Sequence, residues 1–196
     1  EGMVPDSDKL NNPLTLTIED AHHSVTAVFA KIVCVAPDAT GNSTGADWEN
    51  AFTNIQEAID ACGVAGTLKI KSGTYIISNE LTVASGSDFR FIGGYTGNGD
   101  ERGEGYSVLA RDSSVTSMRI VYIKDSNVIM DGLVVSNGLL CGATDSSHYG
   151  LGVNAVNSTL MITNCIVTKN SDKRDTHNYY GGGLRQSGGT LTIIDS

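Results

Sequence analysis

Apolar and polar residues alternate along this chain in short runs, and one such run occurs twice. Residues 149–165 (YGLGVNAVNSTLMITNC) return without a gap as residues 180–196 (YGGGLRQSGGTLTIIDS), thirty-one positions later. A weaker third copy, residues 127–137 (NVIMDGLVVSN), aligns with residues 160–170 at an offset of thirty-three. Each copy joins a short alternating run to a glycine-rich turn. This pattern favours β-strands stacked on their own repeats.

Stacking would place equivalent residues of successive copies side by side, about 4.8 Å apart. The alignment predicts one inward apolar column, whose members are Ile129, Ile162 and Ile193. It predicts two polar columns at the bends, namely Asp131, Asn164 and Asp195 in one and Asn137 and Asn170 in the other. Asn and Asp tolerate turn dihedral angles and bond neighbouring backbone amides, so we interpret these columns as architecture rather than as ligands.

Upstream of the repeats, residues 47–62 have the periodicity of an amphipathic helix. The apolar positions are Trp48, Ala51, Phe52, Ile55, Ala58, Ile59 and Cys62. Asp47 or Thr44 would cap this helix. A helix with a single apolar face that precedes a stack of strands is expected to cover the open end of its core.

The first thirty-one residues differ from the rest. Leu14, Leu16 and Ile18 alternate with polar residues, a polar turn follows, and the alternation then resumes through residues 25–29, which predicts a β-hairpin. A lone hairpin is marginally stable in water, so it must dock on the body or belong to a larger module. The sequence therefore predicts two parts, residues 1–31 and residues 32–196, with the repeats at 127–196.

Composition narrows the function classes. The formal net charge of −9 disfavours nucleic acid and anionic membranes, because both need clustered Lys and Arg. No apolar run approaches the roughly 18–20 residues of a membrane-spanning helix. The four cysteines, Cys34, Cys62, Cys141 and Cys165, form no CxxC pair. We interpret them as small apolar residues, and a Cys34–Cys62 disulfide stays open at this point.

Two loops are the candidate binding site. Three short strands and their turns need only roughly twenty residues, so the repeat period leaves about ten to spare. These are residues 141–150 and 171–181, which share one phase of the repeat and should emerge side by side. The candidate ligand-binding residues are Asp145, His148, Tyr149, Arg174, His177, Tyr179 and Tyr180. Tyrosine rings beside polar groups suit a sugar, while the alternative is a solvated loop with Tyr149 and Tyr180 packed over glycines.

A metal site and a catalytic site are two further possibilities. Residues 38–49 resemble an EF-hand loop in spacing, with the candidate ligands Asp38, Asn42, Asp47 and Glu49. Ser43 occupies the position where such a loop needs glycine, so a turn that caps the helix is the favoured interpretation and calcium is the only cofactor suggested. No paired acids or acid–base cluster recur at matching phases, which disfavours catalysis within these residues.

The order of motifs carries a family resemblance. VCVAPDATGNSTGADWENAFTNIQEAIDACGVAGTLKIKSGTY is followed by FIGGYTGN and then by the GGG…GGTLTI repeats. This order, over residues 32–196, resembles the right-handed parallel β-helix proteins of the pectin-lyase-like superfamily, and within it the polymorphic outer-membrane-protein-like repeat proteins. The resemblance implies an all-β, helix-capped solenoid of three sheets. It implies little about activity, because one fold hosts many functions.

The hairpin carries a second resemblance. NPLTLTIED…SVTAVFAK is similar to the closing hairpin of the Listeria–Bacteroides type surface repeat, the divergent internalin B-repeat. This likeness implies that residues 1–31 are the remnant of a surface repeat module in a multidomain parent. Further coils or a cap are then expected after Ser196.

These observations lead to an expected function. The chain is expected to be a non-catalytic, extracellular or outer-membrane-associated β-helix segment of a bacterial surface protein, adhesin-like or a carbohydrate-binding stalk. Its expected partners are a polysaccharide or a host surface glycan or protein. One alternative is the N-terminal part of a polysaccharide lyase or glycoside hydrolase whose catalytic rungs lie beyond residue 196. Another is a spacer without a ligand.

Overall fold

A computed structural model describes residues 15–19, 24–28, 30–141, 149–173 and 182–196. The protein is all-β, with a curled and mainly parallel sheet and one short helix among these residues. No helix in the described ranges is long and apolar enough to cross a membrane.

The chain begins with an antiparallel pair and continues with parallel strands only. Strand β1 (Thr15–Glu19) pairs antiparallel with β2 (Ser24–Val28), which confirms the predicted hairpin. The register sets Leu16 opposite Ala27 and Ile18 opposite Val25.

The later strands form three parallel ladders, which we number in the order in which the chain reaches them. Ladder 1 contains β3 (Lys31–Val35), β4 (Ala65–Lys71), β7 (Asp88–Tyr95), β10 (Asn127–Asp131) and the second halves of β13 (Val153–Thr163) and β16 (Leu184–Ile194). Ladder 2 contains β5 (Gly73–Ile77), β8 (Ser107–Arg111), β11 (Leu133–Ser136) and β14 (Ile166–Thr168). Ladder 3 contains β6 (Leu81–Thr82), β9 (Val121–Lys124) and the first halves of β13 and β16.

One hydrophobic core lies between the ladders. Alternate residues are buried in strands such as β4 and β10, as expected for parallel strands covered on one face. Leu68 and Met130 of ladder 1, Leu109 and Val135 of ladder 2 and Val153 of ladder 3 all belong to one buried cluster. Burial of these side chains, at about 25 cal/mol per Å² of apolar surface, is the main favourable term for the fold.

The duplicated segment pairs with its own copy. Val153 lies beside Leu184, Thr159 beside Thr190 and Thr163 beside Ile194, an offset of thirty-one throughout. The predicted register of the two full copies is therefore confirmed, and the repeats lie side by side in the sheet.

The weaker copy pairs one position away from its predicted register. Met130 lies beside Ile162, an offset of thirty-two rather than thirty-three, and the inward column is therefore Met130, Ile162 and Ile193. Ile129 pairs with Met161 and is only half-buried, so its predicted place in that column was wrong. The physical reason is the side-chain period of two, because a slip of one residue moves every side chain to the other face.

The same shift changes both polar columns. Gly132, Asn164 and Asp195 share the first bend, with φ values of 69°, 49° and 50°. Asp131 precedes that bend and accepts a hydrogen bond from Asn164 Nδ2 at 3.2 Å. Left-handed backbone favours Gly, Asn and Asp, so the architectural interpretation holds for the residues at φ > 0.

The second bend shows the shift again. Asn137 and Lys169 occupy equivalent positions with φ values of 65° and 56°. Asn170 lies one residue later, where its Oδ1 accepts from the amide of Gly138 at 2.8 Å and its Nδ2 donates to the carbonyl of Val135 at 3.1 Å. Asn170 therefore connects adjacent turns through its side chain and not through its own backbone conformation.

The helix is shorter than predicted. Helix α1 (Ile55–Cys62) begins after Asn54, whose Oδ1 accepts from the amides of Gln56 and Glu57. The predicted start at residue 47 was wrong, because Asp47 accepts hydrogen bonds from Asn50 and closes a turn. Phe52, assigned to the helix from its spacing, forms a parallel bridge with Val35.

The buried face of α1 covers one end of the stack, as expected. Ile55, Ala58, Ile59 and Cys62 are buried in the main core, and α1 contacts β3, β4 and β6. Those three strands lie at or next to the start of ladders 1 and 3. The helix thus covers the end of the core that would otherwise face water.

All four cysteines are free thiols. Cys62 lies in the main core, whereas Cys34 lies in a separate small cluster with Ala36 and Ala51. The open question of a Cys34–Cys62 disulfide is answered in favour of two separate thiols. Cys165 is also buried, while Cys141 is exposed and differs from the expected small buried residue.

A column of buried serines closes the third bend, between ladders 3 and 1. Ser87, Ser126 and Ser158 are 1%, 5% and 2% exposed. The amide of Ser87 donates to Ser126 Oγ at 3.3 Å, and the amide of Ser126 donates to Ser158 Oγ at 3.2 Å. The hydroxyls of Ser126 and Ser158 therefore each accept a hydrogen bond from a buried amide of the preceding copy, which strand pairing alone leaves without a partner.

A polar insertion after β7 is fixed to the sheet by an arginine. Arg102 donates from Nη1 and Nη2 to the carboxylate of Asp131 at 2.9 and 3.0 Å and from Nε to the carbonyl of Gly93 at 2.9 Å. Partial burial alone would raise the pKa of Asp131, but the hydrogen bonds from Arg102 and Asn164 outweigh it and lower the pKa.

We expect Ser126→Ala to lower the free energy of unfolding by about 1–3 kcal/mol, because it leaves the buried amide of Ser87 without an acceptor. Ser85→Ala is the matched control, since Ser85 is exposed and bonds only Asp125 through its side chain. Urea denaturation of both variants measures the difference. Equal losses in the two variants would contradict the role given to the serine column.

We expect Asp131→Asn to lower stability at pH 7 by about 1 kcal/mol or less, since the pair is partly exposed to solvent. The pKa of Asp131 is depressed on folding. Its contribution is therefore present above its usual value of 3.8 and is lost as the pH falls through the folded value. Urea denaturation at pH 7 and pH 3 should show the difference from wild type shrinking in acid. An equal difference at the two pH values would contradict the role given to this pair.

Candidate binding surface

The two candidate loops leave the sheet from adjacent strands. Strand β12 (Leu139–Leu140) pairs parallel with β15 (Ser171–Asp172), so the first residues of both loops lie side by side. Most of each loop lies outside the described residues. Of the candidate ligand-binding residues, Tyr149 is described, and those outside the described residues are Asp145, His148, Arg174, His177, Tyr179 and Tyr180.

Tyr149 lies against the outer surface of ladder 3. Its ring is 5.0 Å from the guanidinium carbon of Arg185, and its side chain is half-buried. Arg185 in turn donates from Nη1 to Oδ1 of Asn154 at 3.3 Å. A tyrosine ring, a guanidinium and an amide thus meet where the chain returns from the first loop to β13.

The neighbouring strand extends this surface. Tyr122, Asn154 and Arg185 occupy paired positions on β9, β13 and β16, so their side chains form one column on the outer face. The Tyr122 ring lies 4.4 Å from the guanidinium carbon of Arg119. We call Arg119, Tyr122, Tyr149, Asn154 and Arg185 together the arginine–tyrosine surface.

An acidic residue orients the first arginine. Arg119 is 8% exposed and pairs with Glu80, to which its Nη2 donates at 3.1 Å and its Nε donates as well. Arg185 forms no ion pair with a carboxylate among the described residues. The two arginines therefore differ, since the charge of Arg119 is paired with a carboxylate and that of Arg185 has no carboxylate partner among the described residues.

Gly150 makes the close approach of Tyr149 possible. Its φ is +63°, and a Cβ there would lie 2.6 Å from the carbonyl oxygen of Val153 and 2.9 Å from Cβ of Arg185. Only glycine fits such a position, because a side chain would clash and the left-handed backbone would be strained. Gly150 is repeated in the sequence as Gly181, and at Gly150 this close packing explains why glycine is needed.

The arrangement suits recognition of a polar ligand with apolar faces. A guanidinium stacked over a tyrosine ring contributes about 0.5–2 kcal/mol and fixes both groups in one orientation. Polar groups of Arg185 and Asn154 lie beside this aromatic surface. Sugars present the complementary pattern, with C–H faces and hydroxyl edges.

The four candidate calcium ligands are placed in a hydrogen-bonded loop. The carboxylate of Asp38 accepts from Lys71 Nζ at 2.7 Å, and this hydrogen bond lowers the pKa of Asp38. Asp47 accepts from the amide of Asn50 at 2.8 Å, a bond that lowers its pKa. Asn42 and Glu49 join the same loop through backbone hydrogen bonds to Asn50 and Gly41.

Within the described ranges, no group of three or more His, Cys, Asp or Glu side chains is arranged to hold a metal ion. The loop of residues 38–50 is held by its own hydrogen bonds and by the pair Asp38–Lys71. Calcium binding there stays a prediction.

Sequence reasoning missed Arg119, Tyr122 and Asn154. Arg185, which corresponds to Asn154 in the second copy, was not among the candidate ligand-binding residues either. Extension of the repeat phase one strand upstream, with an offset of thirty-two, aligns Tyr122 with Asn154 and was the available signal. Arg119 has no such signal, because it precedes β9 in an irregular segment.

Comparison of the chain with protein-family models, with curated proteins and with solved structures found no match.

We expect Gly150→Ala to destabilise the protein more than Gly86→Ala. Gly86 has a φ of +82° but open space around a Cβ, so its substitution measures backbone strain alone, about 1–2 kcal/mol. Gly150→Ala adds a clash with Val153 and Arg185 and should also displace Tyr149. Urea denaturation gives the stabilities, and the Tyr149 ring resonances report its contact with Arg185. Equal stability losses together with unchanged Tyr149 resonances would contradict this packing role.

Proposed function

We propose that the three ladders are the faces of a right-handed parallel β-helix capped by α1. The chain visits ladders 1, 2 and 3 in that order and then returns to ladder 1, and neighbouring strands are parallel throughout. Parallel crossover connections are right-handed in about 98% of cases, which supports the handedness. The left-handed residues at each bend support a solenoid in which every coil turns at the same positions.

We propose that this β-helix is a non-catalytic binding segment of a bacterial surface or secreted protein, and that it binds a glycan. The observation that carries the proposal is the contact of Tyr149 with Arg185, which in turn donates a hydrogen bond to Asn154, beside the start of the two paired loops. Rigid scaffolds that present loops at one edge commonly use those loops for binding. The cell-surface location rests on the resemblance of the hairpin to a surface repeat.

The surface is suited to binding rather than to catalysis. Acid–base catalysis of glycoside cleavage needs two acids, or an acid and a base, that converge on the bond to be broken. Glu80, the acid that contacts this surface, is paired with Arg119. The two arginines hold rings and amides in place, and this is a recognition role.

The proposed ligand meets Tyr149 and Arg185 first. The Tyr149 ring offers a partly exposed apolar face. Arg185, which forms no ion pair with a carboxylate among the described residues, would attract a hydroxyl or carboxylate group of the ligand. A glycan with acidic sugars fits this pair better than a neutral one.

The test is a glycan and host-protein array probed with the wild-type chain and with Tyr149→Ala. We expect a specific glycan signal whose affinity falls by about tenfold in the variant, a loss of about 1.4 kcal/mol. Tyr106→Ala is the matched control, because Tyr106 is 40% exposed and lies next to β8 in ladder 2, away from ladder 3. This control should bind within about twofold of wild type.

Other outcomes separate the remaining functions. The absence of any specific signal would mean that this segment is a spacer without a ligand. Equal binding by Tyr149→Ala and wild type would place the ligand elsewhere. Release of unsaturated, UV-absorbing products from acidic polysaccharides by this chain would overturn the non-catalytic proposal in favour of a polysaccharide lyase.

A further inference from the structure

The first strand of each ladder has one edge without a neighbouring strand, and two of these edges are covered. Edge groups left in contact with water invite pairing with another chain. In ladder 1 the end strand is β3, and residues 45–52 cover it. The amide of Cys34 donates to the carbonyl of Gly45 at 2.8 Å, and its carbonyl accepts from the amide of Phe52 at 2.9 Å.

In ladder 3 the end strand is β6, and a side chain covers its edge. The amide of Thr82 donates to Gln56 Oε1 at 2.9 Å, and Gln56 Nε2 donates to the carbonyl of Thr82 at 3.0 Å. The side-chain amide of Gln56 thus takes the place of a peptide group from a neighbouring strand. Helix α1 closes this edge as well as the core.

In ladder 2 the end strand is β5, which among the described residues pairs with β8 alone. The amide of Gly73 donates to the carbonyl of Tyr106 at 3.3 Å, and the carbonyl of Ile77 accepts from the amide of Asp112 at 2.8 Å. In a parallel ladder, alternate residues direct their backbone groups to opposite edges. Thr74 and Ile76 therefore direct their N–H and C=O groups away from β8.

A groove of about 490 Å³ lies along this uncovered edge. Thr74 and Ile76 line one side, while Asn54, Gln56 and Pro37 line the other. Its volume falls within the range of about 300–1,000 Å³ that is typical of ligand sites. The Ile76 side chain is 62% exposed.

We propose that the β5 edge is a docking site for an extended peptide segment of another polypeptide, which pairs with Thr74 and Ile76 as an additional strand. The two residues lie about 6.6 Å apart along the strand, the spacing at which a partner strand presents its own N–H and C=O groups. Peptide recognition by addition of a strand draws its affinity from such main-chain hydrogen bonds.

The charge of the groove limits the peptide further. Glu57 is the single charged side chain among the residues that line it. The whole chain carries a net charge of −9, so an acidic peptide would be repelled. The occupant is therefore a neutral or basic extended segment with an apolar residue that packs against Ile76.

The probe is a capped synthetic peptide with the sequence of residues 105–113, GYSVLARDS, which contains the strand that β5 already accepts on its other edge. It is titrated into the ¹⁵N-labelled chain and followed by NMR. We expect shifts at the amides of Thr74 and Ile76 and at Asn54 and Gln56, with hydrogen exchange of Thr74 and Ile76 slowed by about tenfold. The same peptide with methylated backbone nitrogens at residues 107–110 should leave these amides unchanged.

The matched protein variants are Ile76→Pro and Ile76→Val. Proline removes the N–H that faces the groove and leaves the bonds to β8 in place, so the affinity should fall by about tenfold. Valine keeps the N–H and should bind within about twofold of wild type. Circular dichroism checks that both variants fold.

Three results would overturn the proposal. One is the absence of chemical-shift changes at Thr74 and Ile76. Another is a set of changes confined to β16, the last strand of ladders 1 and 3. The third is equal binding by the methylated and unmethylated peptides, a comparison that holds even where Ile76→Pro fails to fold.

Discussion

In-register parallel pairing of each strand with its copy in the next repeat is the constraint on which the rest of this structure depends. Each repeat must return its strand to the same ladder, one strand spacing away, after contributing to the other two ladders. The bends therefore recur at fixed positions, and left-handed residues occupy them, among them Gly132, Asn164 and Asp195. A single residue of slip at any bend would turn the core side chains outward.

All three bends contain left-handed residues, and they differ in the side chains that complete their hydrogen bonds. The bend after ladder 1 uses left-handed Gly, Asn or Asp, and Asn170 connects the turns after ladder 2 through its side-chain amide. The bend between ladders 3 and 1 uses buried serines, whose hydroxyls accept from amides of the neighbouring copy. Each solution satisfies backbone groups that strand pairing leaves open, which is why polar residues recur inside a mainly apolar stack.

The same geometry separates structure from recognition. The residues on the inward face of each ladder and at the bends are used for packing and hydrogen bonding. Outer faces and insertions are therefore the places left for recognition. The arginine–tyrosine surface lies on an outer face beside two such insertions, and the groove at β5 lies at an edge that neither residues 45–52 nor α1 covers. Both places combine fixed scaffold with groups that the fold itself does not use.

The sequence by itself determined the strand content, the hairpin, the pairing of the two full copies and the phase of the two loops. Repetition and alternation encode these features locally. Only the tertiary structure decided the register of the weaker copy, since the identical residues favour an offset of thirty-three whereas the strands pair at thirty-two, which buries Met130. It also decided where the helix begins, because Phe52 pairs with Val35 and Asn54, rather than Asp47, caps the helix. The cluster of Arg119, Tyr122 and Arg185 joins residues at β9 to a residue of β16, and this proximity depends on the pairing of both strands with β13 rather than on any short stretch of sequence.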